Sequence, residues 1–93
     1  MFINSNMQAL ADSFSEDNDF NQFSTSIEVY YYGALEQYQG NMLDVENKNK
    51  LIAIGDFYKE TIDSKIDILS DDEQKHVIEV LKPYKLLKNI RGF

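Results

Sequence analysis

The sequence has no cysteine and no tryptophan, and it has a single proline. The lack of cysteine excludes disulfide scaffolds, thiol nucleophiles, cysteine-ligated zinc and iron–sulfur clusters. Proline and glycine are too sparse to form a linker and no internal repeat is present, so we predict that residues 1–93 form a single domain. With 43% hydrophobic and 27% charged residues, the composition is that of an ordinary globular domain.

Positive charge is absent from the first half of the chain. Residues 1–47 hold eight acids and no Lys or Arg, whereas residues 48–93 hold eight acids and all nine bases, so the halves carry net charges of −8 and +1. Affinity for a phosphate backbone comes largely from Lys and Arg, so direct binding to nucleic acid is not expected. The asymmetry instead predicts that the acidic half meets a basic partner protein.

Long hydrophobic runs are missing as well. No stretch has the length and apolarity of a membrane span. A secretory signal begins with a basic residue ahead of an apolar segment. Residues 1–6 do not have this pattern. We therefore expect a cytoplasmic protein that does not bind membranes.

Apolar residues at helical spacing predict an all-α protein. One stripe occupies positions 20, 23, 27, 31, 35, 38 and 42 and predicts a helix over about 18–40. A second occupies positions 51, 54, 58, 62, 66 and 69 and predicts a helix over about 44–69. A shorter pattern at 7, 10, 11 and 14 predicts a short first helix over about 6–15.

A third long helix is predicted to begin after Ser70. Ser70 and Glu73 have the spacing of a capping box, in which each side chain accepts the other residue's backbone N–H. Pro83 should kink or break this helix, since proline lacks a backbone donor. Its apolar face would run as follows: Val77, Val80 or Leu81, Tyr84 and Leu87. The predicted architecture is a bundle of three long helices plus a short N-terminal helix.

The run Tyr30-Tyr31-Tyr32 cannot lie wholly in a core. At about 100° per residue the three side chains fan over about 200°, wider than one buried stripe. The stripe is centred near Tyr31, so the opposite face carries Val29, Tyr32 and Glu36. Tyrosine is enriched at interface hot spots, which makes this face a candidate protein-binding surface.

We therefore interpret the chain as a non-enzymatic acidic binding module that docks its N-terminal half on a basic protein, as an inhibitor, immunity factor or adaptor. The candidate contact residues are Glu16, Asp17, Asp19, Glu28, Val29, Tyr32 and Glu36. The basic partner could be a nuclease or another nucleic-acid-binding protein, with the carboxylates acting as a mimic of DNA phosphates. No nucleophile paired with a base and no phosphate-binding glycine loop can be identified, so we expect neither catalysis nor a cofactor or metal.

Two alternatives remain open. The same surface could join copies of the chain into a homodimer or larger assembly with a structural or chaperone role. Residues 17–28 also have acids or an amide at the first, third and fifth positions, Thr25 at the ninth and Glu28 at the twelfth, which is the ligand spacing of an EF-hand calcium loop. The sixth position is Gln22 instead of the usual glycine.

Overall fold

The structure, a computed structural model, describes residues 5–39 and 45–89, and no strand occurs among them. The prediction of an all-α protein is confirmed. Five α-helices and one 3₁₀ turn follow in chain order: α1 (Ser5–Asp17), α2 (Phe20–Gln39), α3 (Val45–Asp63), the 3₁₀ turn (Ile66–Ile68), α4 (Asp71–Val80) and α5 (Lys82–Asn89). No helix in these ranges is long and apolar enough to cross a membrane.

The first two helices bury the apolar stripes that the spacing predicted. Met7, Ala11 and Phe14 of α1 are buried, and Leu10 is half-buried. In α2 the buried positions are 20, 23, 27 and 31, and Leu35 is half-buried. The side chain of Tyr38 and the whole of Met42, which the stripe also included, lie outside the described residues.

The α3 helix is shorter than predicted. It ends at Asp63 instead of about residue 69, so the predicted boundary is wrong. The Ser64 hydroxyl donates to the carbonyl of Thr61 at 2.7 Å, and a serine that binds nearby backbone in this way competes with the helical hydrogen bonds. The change of conformation leaves Ile66 37% exposed, although Leu69 is buried as predicted.

The predicted third long helix is two helices. The capping box at its start is present, with Glu73 N donating to Ser70 Oγ at 3.1 Å and Ser70 N donating to Glu73 Oε1 at 2.9 Å. The helix then stops at Val80, and Pro83 lies in the first turn of α5, where a missing N–H is tolerated. Val80 and Leu81 stand three and four residues after Val77, on the same helical face, and both are buried.

The hydrophobic core contains residues from all five helices. The helices α1 and α3 both pack on α2, and α5 packs on α3 and α4. Three rings join the first three helices, because Phe23 lies between Phe14 (centroids 5.1 Å apart) and Tyr58 (5.8 Å), with interplanar angles of 8° and 4°. One turn before Tyr58 in α3, Gly55 packs directly against the ring of Tyr84 from α5.

Candidate functional site

An acidic turn joins α1 to α2. We use this name for residues 16–19, in which the side chains of Glu16, Asp17 and Asp19 are all exposed. Asp19 caps α2, since its Oδ1 accepts the backbone N–H of Gln22 at 3.0 Å. Asn18 has φ of +58°, the left-handed conformation that asparagine tolerates better than most residues. The carboxylates that the sequence nominated here therefore lie together on a tight, ordered corner.

The basic side chain of Lys65, which follows α3, contacts the acidic turn. Its Nζ donates to the carbonyl of Phe14 at 3.0 Å, to the carbonyl of Ser15 and to Oδ1 of Asn18. These acceptors belong to the carbonyl end of α1, where Phe14 O also accepts the backbone N–H of Asn18 at 2.9 Å, and to the turn itself. A cation is favourable at such a helix end. Since Lys65 is engaged by these oxygens, the three carboxylates of the acidic turn have no Lys or Arg ion-pair partner within residues 5–39 and 45–89.

Glu28, which the sequence nominates as a contact residue, has partners within the fold. Its Oε2 accepts the hydroxyl of Ser24 at 3.0 Å and lies 3.0 Å from Nε2 of His76 in α4. Ser24 in turn lies 2.7 Å from the hydroxyl of Tyr58. Glu28 is therefore half-buried in a polar chain that runs from the core of α3 to the surface of α4.

This polar chain does not have the geometry of a nucleophilic triad. Ser24 is 1% exposed, so a substrate cannot reach its hydroxyl. The carboxylate also stands between Ser24 and His76, whereas a general base has to contact the nucleophile itself. The arrangement instead holds α2, α3 and α4 together.

The three consecutive tyrosines separate as the geometry predicted. Tyr31 is 3% exposed, while Tyr30 and Tyr32 are each 38% exposed. Tyr32 is not on an open face, however, because its hydroxyl donates to the carbonyl of Val80 at 3.1 Å and its ring packs edge-on against Tyr31. Tyr32 therefore connects α2 to the end of α4.

The outer face of α2 is defined here by Thr25, Val29, Gly33 and Glu36. Val29 is 69% exposed and Glu36 is exposed. A Cβ atom added to Gly33 would meet nothing within 4 Å, so no packing within the described chain requires a glycine there. Of the residues nominated from sequence, Val29 and Glu36 therefore lie on an open helical face, and the acidic turn lies at its amino-terminal end.

Two acids that the sequence did not nominate belong to the same end of the molecule. Asp71 and Asp72 are exposed in the first turn of α4. His76, one turn further along, packs edge-on against Phe20 with ring centroids 6.1 Å apart, and Phe20 directly follows Asp19. The capping box located the start of α4, but only the tertiary packing brings it beside the acidic turn.

The calcium hypothesis requires a loop that residues 17–28 do not form. Residues 20–28 are helical, so the ligand positions that should wrap around one cation lie along the length of α2. Thr25 is exposed on the outer face, while Glu28 is turned towards His76. Across the described part of the chain, no group of three or more acidic or histidine side chains is placed to hold a metal ion.

Two buried tyrosines differ in how their hydroxyls are satisfied. Tyr58 pairs with Ser24, whereas the Tyr31 hydroxyl has no hydrogen-bond partner within the described residues. A buried polar group without a partner costs about 1–3 kcal/mol. We expect Tyr31→Phe to raise the free energy of unfolding by about 1 kcal/mol and Tyr58→Phe to lower it by about 1 kcal/mol. Urea denaturation of both variants measures this difference. Equal decreases in the free energy of unfolding of the two variants would contradict the prediction.

Burial also makes the protein sensitive to alkali. Burial, which removes water from the hydroxyl, is the main reason that the pKa of Tyr58 is raised from 10.0 to about 12. Burial also raises the pKa of Tyr31. The unfolded chain then loses these protons at a lower pH than the folded chain, so stability is complete below pH 10 and falls as the pH rises above it. Tyr58 alone should remove about 1 kcal/mol between roughly pH 9 and pH 11. Denaturation midpoints across this range, compared with those of Tyr58→Phe, measure the effect.

Comparison with protein-family models, with curated proteins and with solved structures finds no match for this chain. The described residues define an all-α protein in which the turn between α1 and α2 carries three exposed carboxylates.

Proposed function

We propose that the protein is a non-enzymatic acidic binding module whose acidic turn docks on a basic surface of another protein. The observation that carries this proposal is the pairing pattern of the turn. Three exposed carboxylates stand on a capped corner, and Lys65, which contacts this turn, is bound to backbone and amide oxygens. A partner's Lys or Arg residues can therefore pair with these carboxylates without displacing an internal ion pair.

The location of the charge supports fast association. Exposed charges of one sign raise the rate of encounter with a partner of opposite sign, and salt weakens the effect. The first turn of α4 extends the acidic surface through Asp71 and Asp72. The open residues on α2, Val29 and Glu36, supply apolar and acidic contacts further along the same helix.

The charge density favours docking on a protein over close mimicry of DNA. The α2 helix has 20 residues and a length of about 30 Å. Duplex DNA carries about 18 phosphate charges over that distance. The exposed carboxylates of α1, α2 and their turn are Asp12, Glu16, Asp17, Asp19 and Glu36. Together with Asp71 and Asp72 of α4 the surface has seven exposed carboxylates, under half of the charge of DNA, so it can occupy a few phosphate sites of a nucleic-acid-binding partner but cannot replace a duplex.

The test is a pull-down from host lysate with the wild-type chain and with a variant in which the turn is neutral. The variant carries three substitutions: Glu16→Gln, Asp17→Asn and Asp19→Asn. Asparagine caps a helix as well as aspartate does, so α2 keeps its start. We expect a basic protein to be retained by the wild-type chain, to be released at about twice physiological salt, and to be lost from the variant at low salt.

A matched control removes the same number of negative charges elsewhere on the surface. Its substitutions are Glu46→Gln, Glu60→Gln and Asp67→Asn, all at exposed positions. If this control loses the partner to the same degree as the turn variant, net charge alone explains the capture. If the retained protein resists both the salt and the turn substitutions, the proposal is wrong. Competition by duplex DNA for the retained partner tests the DNA-mimic version.

A homo-oligomeric structural role is the second candidate, and the outer face of α2 is the observation that favours it. Glycine inside a helix is less stable than alanine by about 1 kcal/mol, and the fold of the described chain does not need one at position 33. Beside the exposed Val29, a glycine allows the backbone of a second helix to approach closely.

Gly33→Ala separates the two candidates. We expect this substitution to raise the free energy of unfolding of the monomer by about 1 kcal/mol in either case, because the added methyl group meets no neighbour. If copies associate through α2, the same methyl group should lower the association measured by light scattering. If the substitution did not change the molecular mass in solution, the structural role would be contradicted. The proposal of partner binding would then stand.

A further inference from the structure

A basic groove lies between α3 and α5, away from the acidic turn. Lys59 lines it from α3, and Tyr84, Lys85 and Lys88 line it from α5. Its volume is about 350 Å³, at the lower end of the range for small-molecule sites, about 300–1,000 Å³. In a chain of net charge −7, this groove brings together three of the nine basic residues.

The wall of the groove is held in place by buried contacts. Tyr84 is 3% exposed, its ring packs on Gly55, and its hydroxyl donates to Asp56. Lys88 lies over that ring, with Nζ 5.4 Å from the ring centroid and 3.3 Å from the hydroxyl oxygen. Its ammonium group is therefore positioned by a residue that cannot move freely.

The three lysines differ in how far their charge is compensated. Lys59 forms a close ion pair with Asp63, at 2.7 Å, and Lys88 lies 3.5 Å from Asp56. The hydrogen bonds to Asp63 and to Tyr84 raise the pKa of Lys59 and of Lys88, so both are cations at neutral pH. The side chain of Lys85 has no ion-pair or hydrogen-bond partner in the part of the chain that the structure describes. The groove therefore has a net positive charge.

We propose that this groove binds a phosphate group of a small molecule. Lys85 supplies the uncompensated charge, and Lys88 supplies a second ammonium group whose contact with Asp56 is long enough to be exchanged for a ligand oxygen. Lysine binds phosphate as a point charge and needs no fixed planar geometry. The open groove has room for a group of the size of a diphosphate.

The experiment is a titration with inorganic pyrophosphate, without divalent cations and at constant ionic strength, followed by NMR shifts of the α5 amides. Removing one charged hydrogen bond should lower the affinity by about tenfold in Lys85→Gln. Asp63→Asn should act in the opposite direction, because it releases Lys59 from its ion pair towards the groove. Both substituted residues are exposed, so the variants should fold.

Two control variants make the same charge changes away from the groove. Lys75→Gln and Asp71→Asn are both at exposed positions in α4, and neither should change the affinity by as much as twofold. Equal effects of Lys75→Gln and Lys85→Gln would overturn the proposal, because they would show a response to net charge alone. Sulfate that binds as well as pyrophosphate and is unaffected by Lys85→Gln would also overturn it. The proposal would also be overturned if the molecular mass of the wild-type protein rose with concentration and that of Lys85→Gln did not. The occupant of the groove would then be a second copy of the chain.

Discussion

Replacing Phe23 by alanine is expected to lower the free energy of unfolding by about 4 kcal/mol. The ring is 1% exposed and stacks on Phe14 on one side and on Tyr58 on the other. It also contacts Phe57, with centroids 6.4 Å apart. Alanine would remove the ring that joins α1, α2 and α3 and leave a cavity between two rigid aromatic neighbours, which cannot collapse to fill it.

Urea denaturation followed by circular dichroism measures the effect. A domain of this size has a total stability of roughly 5–14 kcal/mol, so a loss of about 4 kcal/mol is a large part of it and should shift the denaturation midpoint clearly. The control is Leu86→Ala, because Leu86 is 68% exposed and substitutions at such positions change stability by less than about 0.5 kcal/mol. A loss below about 1.5 kcal/mol for Phe23→Ala would mean that the stack is not the centre of the core.

The core could be predicted from the sequence because it depends on local periodicity. Phe23, Ile27 and Tyr31 recur at the spacing that places them on one face of a helix, and the structure buries all three. The capping box at Ser70 is local in the same sense, since both of its hydrogen bonds lie within four residues. Helix boundaries without such a signal were less accessible, and the end of α3 was placed about six residues too late.

The pairing of charged residues could not be predicted, because their partners are distant in the sequence. Glu28 meets His76, 48 residues later, and Lys65 meets Asn18, 47 residues earlier. No pattern within one helix reveals that the Glu28 carboxylate is paired with His76, or that Lys65 binds oxygens of the acidic turn. The second contact occupies Lys65, and the carboxylates of the acidic turn have no Lys or Arg ion-pair partner among the described residues. Recognising this candidate surface therefore required the fold as well as the charge count.

The basic groove shows the same limit. Lys85 and Lys88 are neighbours on one helix, but Lys59 joins them only because α5 packs across α3. That crossing depends in turn on the close contact between Gly55 and Tyr84. Gly55 lies within a helix that the sequence predicts, but no local pattern identifies Tyr84 as the residue that packs on it.

Replacing Gly55 by alanine is expected to lower the free energy of unfolding by about 2 kcal/mol, although alanine is the better helix former by about 1 kcal/mol. A Cβ atom at position 55 would lie 2.6 Å from Cγ and 2.7 Å from Cε1 of Tyr84, and closer still to Cδ1. The ring is buried, and its hydroxyl is bound to Asp56. Relief of the overlap therefore requires α5 to move away from α3.

A double-mutant cycle with Tyr84→Ala identifies the cause. Once the ring is removed, the added methyl group has room, so Gly55→Ala should become neutral or stabilising in the Tyr84→Ala background. The resulting coupling energy should be about 2 kcal/mol, within the range for residues in direct contact. Gly33→Ala is the matched control, because a Cβ atom there meets no neighbour and only the gain in helix propensity remains. Gly55→Ala could instead lower the free energy of unfolding by the same amount with and without the Tyr84 ring. The destabilisation would then have another origin, which would contradict the close packing of α5 on α3.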